Sequence, residues 1–214
     1  MSRIDVKICG LSTPETLEAA LTAGASHVGF NHFPPSPRYV DADRVAALAA
    51  RVPSHVTKVG VFVDPDDDML DRLIAAGRLD AVQLHGKEAP ERVAILSARY
   101  AIPMWKVIPV KSAADIATSS RYAGTADFIL FDAKTPDGAA LPGGMGVRFD
   151  WTLLRDYRAS GPWGLSGGLD PDNVAQAVAI SGTALVDVAS GVESAPGIKD
   201  VDKIAAFCNA VSRC

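Results

Sequence analysis

Short apolar runs alternate with helical patterns from one end of the chain to the other, and this alternation limits the possible folds more than any other feature. Each run is rich in Val, Ile, Leu or Phe, and the segments between the runs place apolar residues at helical spacing. The predicted strands span residues 4–8, 27–31, 58–63, 81–84, 105–108, 128–132, 163–165 and 185–188. Strands that alternate with helices in this way are typical of a parallel sheet covered by helices.

Residues that start and stop helices support the segments between the strands. The predicted N-terminal caps are Thr13, Asp41, Asp64, Ser112 and Asp170. The predicted C-terminal glycines are Gly24, Gly77, Gly124 and Gly182, and the eighth helix is predicted over residues 201–211. Eight βα units in 214 residues favour a closed (βα)₈ TIM barrel, an α/β fold with eight parallel strands, over an open doubly wound sheet. Because no linker or low-complexity segment divides it, we expect residues 1–214 to form one catalytic barrel domain.

Composition argues against several classes of protein. The net charge of −4 and the lack of a Lys/Arg run argue against a nucleic-acid binder. No apolar run of about 18 residues is present, so we expect no membrane span. Cys9, Cys208 and Cys214 show neither a CxxC pair nor a Cys/His metal spacing. The N-terminus lacks the pattern of a secretory signal, so we expect free thiols in the cytoplasm.

Active sites of (βα)₈ barrels lie at the C-terminal ends of the strands, where the first polar candidate is Cys9. Lys7 and Cys9 point to the same side of the first strand because side chains alternate. A thiol beside a cation can have a lowered pKa and act as a base. The alternative is a buried, inert cysteine, which is the commoner role when the residue is considered alone. For Cys208 and Cys214, in the last helix, we expect the inert role.

Asp132 ends the sixth strand, directly after an apolar run. A carboxyl group at such a position is partly removed from water, which favours its neutral, protonated form and suits a general acid. The alternatives are a helix cap or an ion-pair partner of Lys134. The irregular stretch 134–147 follows, and long loops in compact domains are often functional.

Glycine-rich turns follow the last two strands, with Gly167 and Gly168 after one and Ser190 and Gly191 after the other. Phosphate sites of TIM barrels are often built from these two loops. Glycine lets backbone N–H groups approach an anion, although it also simply makes turns. The occurrence of both turns together favours a phosphate site.

Two further strands and one loop supply candidate binding residues. Gln83 and His85 share one face of the fourth strand and can line a pocket, although Gln83 can instead be satisfied inside the barrel. Asp187 lies within the eighth strand. Arg38 follows a loop with three prolines, and a rigid loop can hold a guanidinium group for bidentate carboxylate binding. A solvated surface arginine is the alternative.

Taken together, these segments resemble the phosphoribosylanthranilate isomerases. The matching segments are 6–10 (VKICG), 29–30 (GF) with 36–39 (SPRY), 59–62 (VGVF), 82–86 (VQLHG), 131–132 (FD) with Lys134, 143–144 (GG) with Gly146 and 149–151 (FDW), 165–169 (LSGGL), and 186–187 (VD) with 190–193 (SGVE). They occur in the order of the family and extend over nearly the whole chain. Their joint occurrence favours a functional role for Cys9 over the inert one.

The resemblance implies an aldose–ketose isomerase (an intramolecular oxidoreductase) of tryptophan biosynthesis. The implied reaction is the Amadori rearrangement of N-(5′-phosphoribosyl)anthranilate to 1-(2-carboxyphenylamino)-1-deoxyribulose 5-phosphate. It implies that Asp132 protonates the furanose ring oxygen and that Cys9, as a thiolate, removes the proton from C2. It implies no metal and no organic cofactor. The expected partner is the small phosphosugar substrate, with no nucleic acid, membrane or obligate protein partner.

The resemblance also implies roles for the remaining candidates. Arg38 is implied to bind the anthranilate carboxylate, and Asp187 to contact ribose or to order the phosphate loop. The full set of expected substrate-binding residues is Lys7, Arg38, Gln83, His85 and Asp187. The expected phosphate-binding residues are Gly167, Gly168, Ser190 and Gly191.

The chain departs from the family pattern at three places. Asn31 and His32 replace a pair that is usually apolar or aromatic, and Met145 stands where a small hydroxyl residue is usual. The stretch 136–142 is also individual. These departures bear on how the loop after the sixth strand closes and on how tightly substrate binds.

Two alternatives share the fold. A pentose-phosphate epimerase would have a similar phosphate site, but its family pairs two aspartates with metal-binding histidines, whereas the first strand here ends in Cys9. A non-catalytic phosphosugar-binding barrel, or a barrel that acts through a protein partner, would keep Gly168 and Ser190. It would have no need of Cys9 and Asp132 together.

Overall fold

The computed structural model describes residues 4–136, 138 and 143–214, and its sheet is a closed barrel. The eight barrel strands pair in parallel in chain order, and the eighth pairs back with the first. The strands are β1 (Asp5–Cys9), β2 (His27–Asn31), β3 (Thr57–Phe62), β4 (Ala81–Leu84), β5 (Met104–Val110), β6 (Phe128–Ala133), β7 (Trp163–Leu165) and β8 (Leu185–Val188). The predicted (βα)₈ barrel is confirmed. Part of the predicted long loop, residues 137 and 139–142, lies outside the described residues.

Helices cover the barrel, but one predicted helix does not form. The α-helices in the described ranges are α1 (Pro14–Thr22), α2 (Ala42–Ala49), α3 (Asp67–Gly77), α4 (Pro90–Tyr100), α5 (Ala113–Ala117), α6 (Val174–Ser181) and α7 (Val201–Val211). After β6 there is only a 3-10 helix, Trp151–Leu154. Its two buried side chains, Trp151 and Leu154, are three residues apart, so a single tight turn is enough to place both in the core. The expectation of eight helices is therefore wrong at this connection.

Several of the predicted caps form as expected. The Thr13 side chain accepts a hydrogen bond from the Thr16 N–H, and that of Asp41 accepts one from the Arg44 N–H. Ser112 forms a capping box with Asp115 at the start of α5. These local side-chain contacts satisfy N–H groups that have no partner inside the helix.

Three other helix boundaries differ from prediction. Asp64 has a positive φ of 45° and its carboxylate accepts from the Lys87 N–H, so α3 begins after Asp66 instead. Asp170 caps a turn, and Asn173 is the residue before α6. Gly77 lies within the last turn of α3, and Arg78 adopts the left-handed cap conformation.

A hairpin that was not predicted follows β8. Its strands, β9 (Glu193–Ala195) and β10 (Ile198–Lys199), pair antiparallel between β8 and α7.

The lower part of the barrel interior is filled by apolar residues, which are Val59, Ala81, Trp105, Val107, Leu130 and Leu185. Because side chains alternate, the inward residues two positions further along these strands include Val61, Gln83, Asp132 and Asp187. The barrel interior is therefore apolar in its lower part and polar at the C-terminal ends of the strands. In the described part of the chain, no helix has both the length and the hydropathy needed to cross a membrane.

Candidate active site

A cavity opens at the C-terminal end of the barrel, where polar side chains from several strand ends and loops line it. Most residues predicted from the sequence line it, namely Cys9, Arg38, Gln83, His85, Asp132, Gly167, Gly168, Asp187 and Ser190. Gly191 lines an adjoining cavity that shares Gly168 and Ser190 with the first. Among the described residues, no group of three or more His, Cys, Asp or Glu side chains is arranged to hold a metal ion.

Lys7, Cys9 and Asp187 form a buried cluster on the adjacent strands β1 and β8. The Lys7 ammonium is fully buried and lies 3.0 Å from Asp187 Oδ1, while Ser166 Oγ lies 3.3 Å from the other carboxylate oxygen. Burial lowers the pKa of Lys7, but the charges of Asp187 and Cys9 outweigh burial and raise that pKa overall. Lys7 does not line the cavity. Its expected contact with substrate therefore finds no support, and it acts on its two neighbours instead.

The pKa of Cys9 differs from the sequence-based expectation. Burial raises the pKa of the Cys9 thiol, and the ammonium groups of Lys7 and Lys199 offset this effect only in part. The expected lowering is thus wrong in its net direction, because desolvation of the thiolate, together with the charge of Asp187, exceeds its attraction to the ammonium groups of Lys7 and Lys199. Because its pKa is raised, Cys9 faces the cavity mainly as a neutral thiol at neutral pH.

Gly29 on β2 makes room for this pair. A Cβ atom at Gly29 would lie 2.9 Å from Cys9 Sγ and 3.1 Å from Lys7 Nζ, and it would also crowd the Cys9 backbone. Only glycine leaves both side chains in place. The segment that contains Gly29 was recognised in the sequence, but its role depends on strand register, which a linear sequence does not display.

Asp132 is the second-last residue of β6 and lies beside His85, which follows β4. Asp132 Oδ1 accepts a hydrogen bond of 2.9 Å from the Ala133 N–H. His85 Nε2 lies 3.3 Å from Asp132 Oδ2, although the contact is not aligned as a hydrogen bond and this nitrogen has no other partner in the described chain. Lys134 is exposed, and among the described residues Asp132 makes no ion pair with it, so this alternative role for Asp132 is not observed. Both Asp132 and His85 are free to act on a molecule in the cavity.

The loop after β6 lies over these groups. A Cβ atom at Gly143 would lie 2.8 Å from Asp132 Oδ2 and 2.8 Å from His85 Cε1. Gly144 has a positive φ of 73°, and a Cβ atom there would lie 2.6 Å from Arg38 Nη1. The two glycines therefore let the backbone pack closely on the acid and on the guanidinium group.

Arg38 is buried, which excludes the solvated surface role. Its Nε and Nη2 atoms each lie 2.7 Å from one oxygen of the Glu193 carboxylate, and Nη2 also donates to the Gly144 carbonyl oxygen at 3.0 Å. Lys199 Nζ lies 2.7 Å from Glu193 Oε1. The guanidinium group therefore enters the cavity already fixed in one orientation.

The remaining polar candidates differ in what they contact. Gln83 is buried, lines the cavity and has an Oε1 atom without a partner in the described chain, so it is not satisfied inside the barrel. Asn31 lines the cavity and its side chain accepts from the Phe33 N–H. His32 instead lies outside the lining: Nδ1 contacts the Val40 carbonyl oxygen at 3.0 Å and the ring packs against Phe62. Burial lowers the pKa of His32 to about 4.

The glycine-rich turns meet at one side of the cavity. Gly167 and Gly168 have φ values of +91° and +64°, which side chains other than glycine rarely adopt. The N–H groups of Ser190 and Gly191 open a 3-10 helix, and such groups have no partner within the helix. Arg148, which was not among the predicted residues, donates from Nε to the Gly168 carbonyl oxygen at 2.9 Å.

The Arg38–Glu193–Lys199 network is the main part of the site that was not predicted. Glu193 was recognised within a motif, but no role was assigned to it. The 155 residues that separate Arg38 from Glu193 hide the pairing from any local pattern. The sequence shows that these three residues are charged, but it does not show that their side chains lie next to one another.

Comparison with known proteins agrees with this geometry. A family model described as N-(5′-phosphoribosyl)anthranilate (PRA) isomerase matches residues 6–210. The chain is 55% identical to the N-(5′-phosphoribosyl)anthranilate isomerase of Zymomonas mobilis subsp. pomaceae, over 97% of this chain and 98% of the relative. It is 54% identical to the enzyme of the same name from Paramagnetospirillum magneticum, over 97% and 96% of the two chains.

Solved structures give the same result. The phosphoribosyl anthranilate isomerase of Thermotoga maritima superposes with a TM-score of 0.89 at 36% identity, over 100% of both chains. Another solved phosphoribosyl anthranilate isomerase, at 33% identity and a TM-score of 0.86 over 100% of both chains, is a complex with reduced 1-(o-carboxyphenylamino)-1-deoxyribulose 5-phosphate. With its barrel, its Cys9 and Asp132 at one cavity and these relatives, the chain belongs to the N-(5′-phosphoribosyl)anthranilate isomerase family.

Proposed function

We propose that this chain isomerises N-(5′-phosphoribosyl)anthranilate with Asp132 as general acid and Cys9 as general base. Family membership assigns the Amadori rearrangement in tryptophan biosynthesis, and it decides against the epimerase and the non-catalytic barrel. The observation that carries the two residue roles is that Cys9 and Asp132, from strands on different sides of the barrel, line the same cavity.

The chemistry needs one proton donor and one proton acceptor. The acid form of Asp132 protonates the furanose ring oxygen, and the C1–O bond breaks to give an open-chain protonated Schiff base. The Cys9 thiolate then takes the proton from C2, and the C2–H electrons move to the iminium nitrogen to give an enolamine. Tautomerisation of the enolamine yields the ketone. The iminium group is itself the electron sink, so this route uses neither a metal nor a cofactor.

The raised pKa of Cys9 requires the site to work from a minor protonation state. The reactive form has a neutral carboxyl group at Asp132 and a thiolate at Cys9 at the same time. Lys7 and Lys199 increase the thiolate fraction, since each ammonium group lowers the pKa that burial raises. Two groups of different type in one cavity can thus supply acid and base near neutral pH.

The two ends of the substrate meet different parts of the cavity. Backbone N–H groups of Gly168, Ser190 and Gly191, with Gly167 shaping the turn, hold the phosphate. Arg38 binds the anthranilate carboxylate. Gln83, His85 and Asp187 face the sugar between these ends. The support is that the turns and Arg38 line one continuous pair of cavities, with the phosphosugar complex of the relative as precedent for such a ligand.

We further propose that residues 1–214 act as one catalytic domain in the cytoplasm, without a protein, nucleic-acid or membrane partner. A reducing compartment keeps Cys9, whose thiol is free here, available as a base. The test is an assay of the purified chain alone, in reducing buffer and after dialysis against a chelator. Full turnover is expected in both; a need for added metal or for a second protein would contradict this proposal.

A further inference from the structure

Glu193 is a buried carboxylate beside the active-site cavity that takes no part in the proposed acid–base steps. It lies at the start of β9, directly after the turn assigned to phosphate. Its side chain is 3% exposed, and those of Arg38 and Lys199 are 6% and 1% exposed. The Gly197 N–H also donates to Glu193 Oε2 at 3.2 Å. Burial raises the pKa of Glu193, but the hydrogen bond from Arg38 and the charge of Lys199 outweigh burial and lower that pKa overall. The group is therefore a carboxylate at neutral pH.

The pairing with Glu193 determines which edge of Arg38 a ligand can reach. Two parallel contacts of 2.7 Å occupy Nε and one N–H of Nη2, and the Gly144 carbonyl oxygen accepts from Nη2 as well. The Nη1 group makes no hydrogen bond to the described residues, and Arg38 lines the cavity. A bidentate pair fixes the plane of the guanidinium group, so Nη1 is held toward the cavity.

Lys199 makes this arrangement suitable for an anion. A guanidinium group paired with one carboxylate has no net charge and attracts a second carboxylate weakly. Lys199 Nζ lies 2.7 Å from Glu193 Oε1 and 2.8 Å from the Ala189 carbonyl oxygen. Burial lowers the pKa of Lys199, and the charges of Glu193 and Cys9 oppose this effect only in part; in the protonated form of Lys199 the three side chains carry a net charge of +1. A ligand carboxylate at Nη1 would complete a neutral cluster of two cations and two anions.

We propose that Glu193 is a positioning residue for substrate recognition: it aims Arg38 Nη1 at the carboxylate of the anthranilate ring. This inference rests on the proposed role of Arg38 as the carboxylate-binding residue. Its consequence is selectivity, because a ligand that lacks the ortho carboxylate gains nothing from the orientation of Arg38.

The test compares two ligands across matched variants. The ligands are reduced 1-(o-carboxyphenylamino)-1-deoxyribulose 5-phosphate and the same compound with phenyl in place of carboxyphenyl, and Kd is measured for each. Glu193→Gln should weaken the carboxylate ligand about tenfold and the phenyl ligand less than twofold, the scale of one charge-assisted hydrogen bond. With natural substrate the variant should raise KM more than it lowers kcat. Glu18→Gln, at an exposed position on α1, is the control and should change neither Kd.

Two further variants keep each outcome decisive. Glu193→Asp retains the charge but is too short to span Arg38 and Lys199, so it should show the same selective loss, and it replaces Glu193→Gln if that variant does not fold. Equal weakening of both ligands, or of neither, by the folded Glu193 variants would overturn the positioning role. Arg38→Ala tests the underlying assignment of Arg38 as the carboxylate-binding residue. If this variant weakens the carboxyphenyl ligand no more than the phenyl ligand, Arg38 does not bind the carboxylate. If Arg38→Ala selectively weakens the carboxyphenyl ligand while the Glu193 variants do not, only the inference about Glu193 fails.

Discussion

At the level of single residues, burial of Cys9 beside the cavity determines how readily its thiol ionises. A thiol that is 7% exposed ionises less readily than a free one, even with Lys7 on the same strand. Cys208 is also buried, in α7, and burial raises its pKa to about 11 without any opposing cation. The two buried cysteines thus differ in their surroundings: only Cys9 faces charged groups and the cavity.

The first prediction follows from that difference. Cys9→Ala should lower turnover by about 10²-fold or more, the usual effect of removing a general base. Cys208→Ala is the matched control, since it removes a thiol of similar burial outside the cavity. It should keep its turnover once the fraction of folded protein is taken into account. Steady-state kinetics of both variants would decide, and wild-type turnover in Cys9→Ala would rule out Cys9 as the base.

The second prediction concerns the acid and the pH dependence. Wild-type kcat should follow a bell-shaped profile, because the active form needs a neutral Asp132 together with an ionised Cys9. Asp132→Asn should lower kcat by about 10²-fold or more and should remove the alkaline limb, so that kcat rises until Cys9 has ionised and then levels. KM should change less, since phosphate and carboxylate hold the substrate. An unchanged profile with near-normal kcat would assign ring-oxygen protonation to another group, with His85 the nearest one.

At the level of elements, the ends of β1 and β6 carry Cys9 and Asp132, and the connections after β6, β7 and β8 form much of the surrounding site. The connection after β6 uses a 3-10 helix instead of a full α-helix, and its glycines pack on Asp132 and Arg38. The connection after β8 adds the hairpin of β9 and β10, which carries Glu193 and Lys199. Departures from a regular βα repeat thus coincide with the functional loops, as is usual for this fold.

The third prediction tests the phosphate site formed by the loops after β7 and β8. Gly168→Val should raise KM and weaken competitive inhibition by inorganic phosphate, because a Cβ atom there would lie 2.7 Å from the Val147 carbonyl oxygen and 2.4 Å from Arg148 Cγ. Gly182→Val is a matched control: it has a similar φ of +69°, at the end of α6, with no atom within 4 Å of an added Cβ. Both variants should lose stability, since a side chain is strained at positive φ. Only Gly168→Val should change KM; equal KM values in the two variants would argue against the site.

At the level of the whole molecule, buried polar groups link global stability to pH. His32 is 1% exposed and joins the end of β2 to Val40 at the end of the Arg38 loop. The unfolded chain binds a proton at His32 below about pH 6.5, whereas the folded chain does so only below about pH 4. Between these values the unfolded state holds more protons, so the free energy of unfolding must fall as pH falls.

The fourth prediction is the size and source of that loss. Between pH 6.5 and 4, His32 should remove about 3 kcal/mol of stability, at about 1.4 kcal/mol per pKa unit. His32→Phe keeps a ring against Phe62 and removes the titrating group, so urea unfolding of this variant should depend less on pH across this window. His55→Phe, at an exposed position, should retain the wild-type dependence. Parallel pH profiles for wild type and His32→Phe would contradict the linkage.

The barrel and the proposed catalytic pair could be predicted from local patterns. The alternation of apolar runs with helical segments predicts a parallel sheet covered by helices, and eight βα units in one short chain favour a closed barrel. Cys9 and Asp132 are identifiable because each lies at the C-terminal end of a predicted strand, and the glycine turns because they follow the last two strands of the barrel. The resemblance to the phosphoribosylanthranilate isomerases then implies the reaction in which Cys9 and Asp132 act.

Tertiary structure alone decided what depends on distance through space and on burial. The sequence shows Lys7 two residues from Cys9, but it does not show that Asp187 pairs with Lys7 or that burial raises the pKa of the thiol. The pair formed by Arg38 and Glu193 spans 155 residues, and its geometry exists only when β9 packs beside the loop after β2. Electrostatic energies depend on the separation and solvation of charges in three dimensions, and neither quantity is encoded in residue order.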